Sequence, residues 1–317
     1  MSAVSDVSLQ AEVLDRLEVA AGRMGPRLGG AWTRLSSRLR LNDRQPGYFL
    51  HPLAFPILQL PTWAAQRAGG ALPEAAALAA DSREAAAAGY LHVRVQDDWM
   101  DEGIEEGAAT ALLSDALLTR HQRLLVGVAG DRPAFWERFE AAWLRYAEAM
   151  LLERALHDGE ATYDQAAFDV VMDRSRPLAL PPAAIWIHSG LDALLPALDD
   201  YVSHLSTSHQ LFTDLIDAER DLAAGNLTWV IRRMGISDEG AEDPEASLQQ
   251  LRRALYLEGG FDAVMREARG RLEQAAEASR RMALPPASEA YLVRRGELMT
   301  TAQREVFQAL FAGLHRS

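Results

Sequence analysis

The chain has 317 residues, 49% hydrophobic and 24% charged, which is enough apolar material for a sizeable core in a soluble globular protein. A net charge of −13 without any long basic tract argues against a nucleic-acid partner. There is no cysteine, which excludes disulfides and thiolate chemistry, and all 32 basic side chains are arginine, which removes a Schiff-base lysine and the lysine of a phosphate-binding loop.

Helix formers dominate and alternating β-branched runs are nearly absent, which predicts one all-α domain over residues 1–317 with about ten helices. The start, MSAVSDVSLQAEVLDRLE, is polar and amphipathic and lacks the apolar core of a signal peptide. With no run of about eighteen apolar residues, the expectation is a cytoplasmic protein without membrane spans. N-terminal helices are predicted within residues 1–40, from Leu9 to Leu39 with a break at Gly25-Pro26. Asn42 to Gly47 reads as a turn, and the apolar stretch from Tyr48, interrupted by Pro52, Pro56 and Pro61, as a short helix or a bent, buried connection. An alanine-rich helix is predicted over Leu72–Met100, followed by helices over Thr110–Val126, Ala134–His157 and Tyr163–Arg176, the last stopped by Pro177. Further helices are expected over Ile185–Leu198 and Asp199–Ala224. A mobile acidic loop follows at about 235–245, then two last helices over Ala246–Met282 and Ser288–His315.

Two acidic stretches stand out. In GYLHVRVQDDWMDEGIEEG, Asp97 and Asp101 are four apart and share a helix face, with Asp98 about 100° round. Like charges so spaced weaken a helix, so the stretch is either a solvated acidic helix end or a pair neutralised from outside, most simply by a divalent cation. Magnesium suits such a pattern, because it takes one or two carboxylates and completes its shell with water and phosphate oxygens. About a hundred residues later, in HQLFTDLIDAERDLAAGNLTW, Thr213, Asp217 and Asp221 recur every four residues on one face, with Asp214 about 100° away. Two acidic helices so separated in sequence can share several magnesium ions with one diphosphate.

DDWMDE followed by HQLFTDLIDAERD resembles the class I isoprenoid synthases. The resemblance implies a single helical barrel of about ten or more helices around a central cavity, with the two metal motifs on opposite walls. The second stretch is similar to the FQxxDDxxDxxxD run of trans-prenyl diphosphate synthases, with Gln210, Asp214, Asp217 and Asp221 in step and Thr213 in place of the first aspartate. Read with the spacing of terpene cyclases and of squalene and phytoene synthases, the ligand triplet becomes Thr213, Asp217 and Asp221. The resemblance thus implies magnesium ligands among Asp97, Asp98, Asp101, Thr213, Asp214, Asp217 and Asp221, with Gln210 at the substrate. Arg174 and Arg176, in DRSRPLAL, lie near where similar enzymes carry a diphosphate-binding lysine or a sensing arginine, and a guanidinium grips phosphate oxygens in a bidentate way. Their alternative role is to complement a helix dipole. Arg294 and Arg295, with Tyr291, are further candidates for holding the substrate, their alternative being a solvated face.

The chain departs from prenyl elongases in lacking an early GGKRxRP stretch and an RRG after the first motif, which instead runs into Gly103, Glu105, Glu106 and Gly107. Gly225-Asn226 stands where a GK pair is usual. Without those cations a second diphosphate is poorly held. The expected function is therefore that of a terpene synthase, ionising an allylic prenyl diphosphate such as farnesyl or geranylgeranyl diphosphate and cyclising the carbocation. The alternatives are a prenyltransferase, by elongation or head-to-head coupling, and a catalytically silent isoprenoid-binding relative. The partner is a small prenyl diphosphate, and a homodimer is expected from the resemblance. Tyr48, Phe49, Phe55, Trp63, Phe168, Trp186, Phe212 and Trp229 are candidates for an apolar cavity lining or for ordinary core, and Trp99 for packing behind its helix. The histidines form no zinc pattern.

Overall fold

The computed structural model describes residues 6–41, 48–51, 53–69, 74–102, 108–237 and 243–314. Among them every regular element is helical, as the composition predicts. The chain divides into two compact units, one built from residues 1–143, 177–198 and 282–288 and the other from residues 144–176, 199–281 and 289–317.

The first unit holds α1 (Asp6–Gly22), α2 (Pro26–Arg38), a 3-10 turn (Tyr48–Leu50), α3 (Gln59–Ala68), α4 (Ala75–Glu102), α5 (Ala108–Ala129), the first half of α6 (Pro133–His157) and α8 (Leu180–His188). Its axis is α4, which packs against α1, α3, α5 and α8. Ala85, Ala87 and Ala88 are fully buried along it, and such small side chains let neighbouring helices approach closely. At Gly89 the approach is limiting, because a Cβ there would lie 2.8 Å from Nδ1 of His121 on α5. His121 is held in place by Nδ1–H, which donates to the Ala85 carbonyl at 2.8 Å, and its ring stacks on Phe139 and meets the edge of Trp143. Burial lowers its pKa to about 4, so the imidazole is neutral in the folded protein.

A carboxylate at the centre of such a helix needs counterions. Glu84, with no exposed surface, receives Nε of Arg16 at 2.6 Å and Nε of Arg120 at 2.7 Å, which ties α1 and α5 to α4. One residue earlier, Arg83 reaches Glu12 on α1 at 2.8 Å.

The second unit contains the rest of α6, α7 (Gln165–Val171), most of a 3-10 segment (Met172–Ala179) and α9 (Leu195–Ala223), then α10 (Trp229–Arg233), α11 (Pro244–Arg252), α12 (Gly260–Arg281) and α13 (Pro286–Leu314). Phe168 stacks on Trp229 at 5.4 Å, with Tyr163 tilted against the same indole at 5.6 Å, so this apolar cluster seats α10 on α7. The aromatic residues that the sequence offers as lining or core are mostly core: Phe49, Trp63, Phe168, Trp186, Phe212 and Trp229 are buried. Trp99 is not packed behind its helix, being 55% exposed.

Several boundaries differ from expectation. Tyr163–Arg176 is not one helix: α-geometry ends at Val171 and continues as 3-10 turns, because the ring of Pro177 would meet the Asp173 carbonyl of an α-helix. Pro181 and Pro182 sit inside the first turn of α8 rather than ahead of it, where missing N–H groups do no harm. The expected helices Ile185–Leu198 and Ala246–Met282 are both interrupted, at Gly190 (φ 69°) and Gly259 (φ 81°), whose left-handed backbone no α-helix contains. Between α11 and Gly259 runs a single π-helical turn, Arg253–Leu257. The Asn42–Gly47 turn and residues 238–242 of the acidic loop lie outside the described residues.

Replacing Gly89 by alanine forces α4 and α5 apart or moves His121, and overpacking of this kind costs roughly 1–3 kcal/mol. Urea unfolding of Gly89→Ala is expected to show a midpoint lowered by that free energy divided by the slope, with the slope itself unchanged.

Candidate functional site

The first acidic motif closes α4. Asp98 is 5% exposed, and each of its oxygens meets a guanidinium: Oδ2 lies 2.6 Å from Arg38 on α2 and Oδ1 2.7 Å from Arg94 one turn earlier on α4. Arg94 also donates to Asp97 at 3.1 Å. The positive charge that two adjacent carboxylates require is thus present as arginine. The side chain of Asp101 and residues 103–107, including Glu105 and Glu106, lie outside what is described. Tyr48 and Tyr90 pack beside Arg94 with ring centroids 5.8 Å apart, and burial raises the pKa of both phenols, that of Tyr48 well above its ordinary range.

The second motif lies on α9. Asp217 accepts from Arg220 at 2.8 Å, and Asp221 lies 3.5 Å from the same guanidinium. Burial, together with the neighbouring Asp217 charge, raises the Asp221 pKa against the opposing pull of Arg220. The Thr213 hydroxyl donates to the helix carbonyls of His209 and Gln210 at 3.0 and 3.1 Å. Its proton is used inside the helix, so what Thr213 offers a ligand is oxygen lone pairs, as a metal ligand must.

Asp214 is different in kind. It is 4% exposed, its Oδ1 accepts from the Gln210 amide at 2.6 Å, and its buried Oδ2 has no hydrogen-bond partner among the described residues. Burial raises its pKa to about 7, against the opposing pull of Arg174 and of the Gln210 amide. Gln210 in turn accepts from Arg174, whose other terminal nitrogen lies 2.5 and 2.6 Å from the two carboxylate oxygens of Glu153 on α6.

The two arginines paired by sequence go separate ways. Arg174 joins Gln210 beside the second motif, whereas Arg176 donates to Asp173 at 2.7 Å and lies 3.8 Å from Asp199 at the start of α9. Asp199 is about 16 Å along the helix from Gln210, so Arg176 is remote from the acidic face. Arg294 is exposed. Arg295 is 1% exposed and turned inward, donating to the Tyr291 hydroxyl at 3.1 Å and to Nδ1 of His209 at 2.6 Å. That bond makes Nδ1 an acceptor and places the ring proton on Nε2.

Three participants escaped the sequence reading. Arg94 was legible, because it stands three and four residues before Asp97 and Asp98. Arg38 and Glu153 were not, since each is brought in by packing of a distant helix. Glu219, on the side of α9 opposite Asp217 and Asp221, accepts from Arg252 at 2.7 Å and from the Tyr256 hydroxyl at 3.2 Å, which fastens α9 to the π-turn.

The donors on α9 are hard oxygens of the kind magnesium or calcium takes, and the orphaned Oδ2 of Asp214 adds a buried acceptor. Among the described residues no three acidic or histidine side chains converge into a ready-made cluster. A cation here would therefore bind through one or two carboxylates and complete its shell with water and ligand oxygens.

No known family model matches the sequence, and no curated protein does. Solved structures do. A geranylgeranyl pyrophosphate synthetase from the archaeon Geoglobus acetivorans superposes with a TM-score of 0.61 at 17% identity, over 93% of this chain and 98% of that one. A polyprenyl synthase from Caulobacter crescentus CB15, complexed with calcium and isoprenyl diphosphate, gives 0.65 at 18% identity, over 94% and 97%. The chain shares the all-α fold of the prenyl diphosphate synthases. The likeness of fold spans nearly the whole sequence. No described helix is long and apolar enough to cross a membrane.

Folded Asp214 keeps its proton up to about pH 7, whereas the ordinary carboxyl releases it near 3.8. Between those values the folded state binds more protons, so this group's contribution to stability falls as pH rises through the window. Asp214→Asn is therefore expected to gain on the wild type at pH 8, by at most about 4 kcal/mol, and to gain little at pH 4, as read from thermal midpoints at the two pH values.

Proposed function

We propose that the chain is a divalent-cation-dependent enzyme that acts on prenyl diphosphates. The observation that carries this reading is the face formed by Thr213, Asp217 and Asp221, with Arg174 held beside it through Gln210, in a chain of prenyl-synthase fold. Bound magnesium supplies Lewis-acid stabilisation of negative charge on a leaving diphosphate. Thr213, Asp214, Asp217 and Asp221 on α9 are the proposed oxygen ligands, and Asp97 and Asp101 on α4 are proposed as ligands in the first unit. Asp98 has a different proposed task, which is to fix the guanidinium groups of Arg38 and Arg94. Arg174 grips phosphate oxygens as the allylic C–O bond breaks, a role that suits a planar guanidinium whose charge persists at every physiological pH.

Between transfer and cyclisation, the names of both structural neighbours favour prenyl transfer. The second reading, cyclisation of a single substrate by a terpene synthase, is favoured by the missing GGKRxRP and RRG stretches, whose cations would hold a second diphosphate. The proposed compartment is the cytoplasm and the proposed assembly a homodimer, the latter on resemblance alone.

The deciding assay incubates purified protein with magnesium and geranyl, farnesyl or geranylgeranyl diphosphate, with and without isopentenyl diphosphate, and follows diphosphate release and product mass. Lengthened product only when isopentenyl diphosphate is present establishes transfer, and hydrocarbon or alcohol from one substrate alone establishes the cyclase reading. In either case Asp217→Ala combined with Asp221→Ala is expected to lower turnover about a hundredfold or more, because metal stabilisation of the leaving group is worth several kcal/mol. Unchanged diphosphate release in that variant would sink the metal assignment.

A further inference from the structure

Arg174 and Asp214 carry opposite charges on neighbouring segments of one unit, yet they do not pair directly. An amide stands between them. Gln210 accepts from Arg174 through Oε1 and donates to Asp214 Oδ1 through Nε2 at 2.6 Å, while the far side of the guanidinium is taken by both oxygens of Glu153 at 2.5 and 2.6 Å. The four side chains come from α6, the 3-10 segment and α9, and their order has a direction. A guanidinium only donates, so the Gln210 oxygen must face Arg174 and its NH2 must face Asp214. Reversing the amide would break both bonds.

Glu153 is what anchors this order. Without its charge, a half-buried guanidinium would lack that counterion, and the nearby Asp214 has an unpartnered, desolvated oxygen to offer. A direct Arg174–Asp214 pair would then displace the amide. We propose that Glu153 is a positioning residue that holds Arg174 off Asp214. It thereby fixes the direction in which the guanidinium meets a diphosphate and leaves the Asp214 oxygen to the cation that accompanies it. This inference rests on the proposed prenyl-diphosphate function, since it presumes that Arg174 meets phosphate. Glu153 itself touches neither ligand and acts through Arg174.

The test is calorimetric titration of the full chain with inorganic diphosphate in the presence of magnesium, for the wild type, Glu153→Gln, Arg174→Gln and the double variant. Glu153→Gln is expected to bind about tenfold more weakly, and Arg174→Gln at least as weakly. The double variant should be no weaker than Arg174→Gln by more than about twofold, because the two residues act as one unit. A purely structural role for Glu153 would shift the thermal midpoint without this non-additivity. Wild-type or tighter binding by Glu153→Gln, with Arg174→Gln weakened, overturns the inference and leaves the functional reading standing, as do effects that multiply in the double variant. Wild-type binding by Arg174→Gln removes the phosphate role of Arg174 and the inference with it. Glu153→Asp, with the charge kept and the reach shortened by one methylene, is expected to lie between wild type and Glu153→Gln. It decides the matter if the glutamine variant does not fold, and wild-type affinity there counts against positioning.

Discussion

A charged carboxylate buried among helices needs a cation to meet it, and two of the buried carboxylates, Glu84 and Asp98, are met by guanidinium groups. Glu84 receives two arginines from different helices, and Asp98 receives two more. Each guanidinium presents a planar fork, so it fixes direction as well as charge, and α1, α2 and α5 are each tied to α4 through such a fork. The alanine-rich stretch between those points supplies close approach but little specificity of register. The ion pairs supply the register, and the end of α4 that carries the acidic motif is held by the same device.

Asp214 stands outside this pattern. Its partner is an amide rather than a cation, one oxygen has no partner among the described residues, and it retains a proton to about pH 7. A site that must accept a cation gains from such an arrangement, because a carboxylate with both oxygens closed by arginine, as in Asp98, has little left to offer a metal. The contrast between Asp98 and Asp214, two aspartates in similar motifs, follows from what surrounds them: two guanidinium groups in one case, and a glutamine backed by an arginine in the other. The cost is a locally destabilised α9, which is common where binding residues are kept ready for a ligand.

The fold class was legible in the sequence because helix formers and missing strand patterns act over the whole length. So were α1, α2, α4, α5 and α6, whose interiors lack proline. What was not legible was the conformation at glycine and proline clusters. Pro181 and Pro182 look like a stop but serve as a start, and Gly259 divides a segment whose apolar period runs on past it. Of the site, the same-face aspartates and Arg94 follow from helical spacing, which is local. Glu153 and Arg38 are contributed by elements far away in sequence, and the separation of Arg174 from Arg176 depends on 3-10 turns that place successive side chains in different directions from those of an α-helix.

The π-helical turn at Arg253–Leu257 holds one residue more per turn than its neighbours. That surplus sets the angle at which Tyr256 leaves the backbone, and with it the bond from its hydroxyl to Glu219 on the acidic helix. Loss of a single residue in this turn would restore ordinary α winding there and swing Tyr256 about 100° away from Glu219. The length of this short stretch therefore constrains the chain more tightly than the identity of most residues within it.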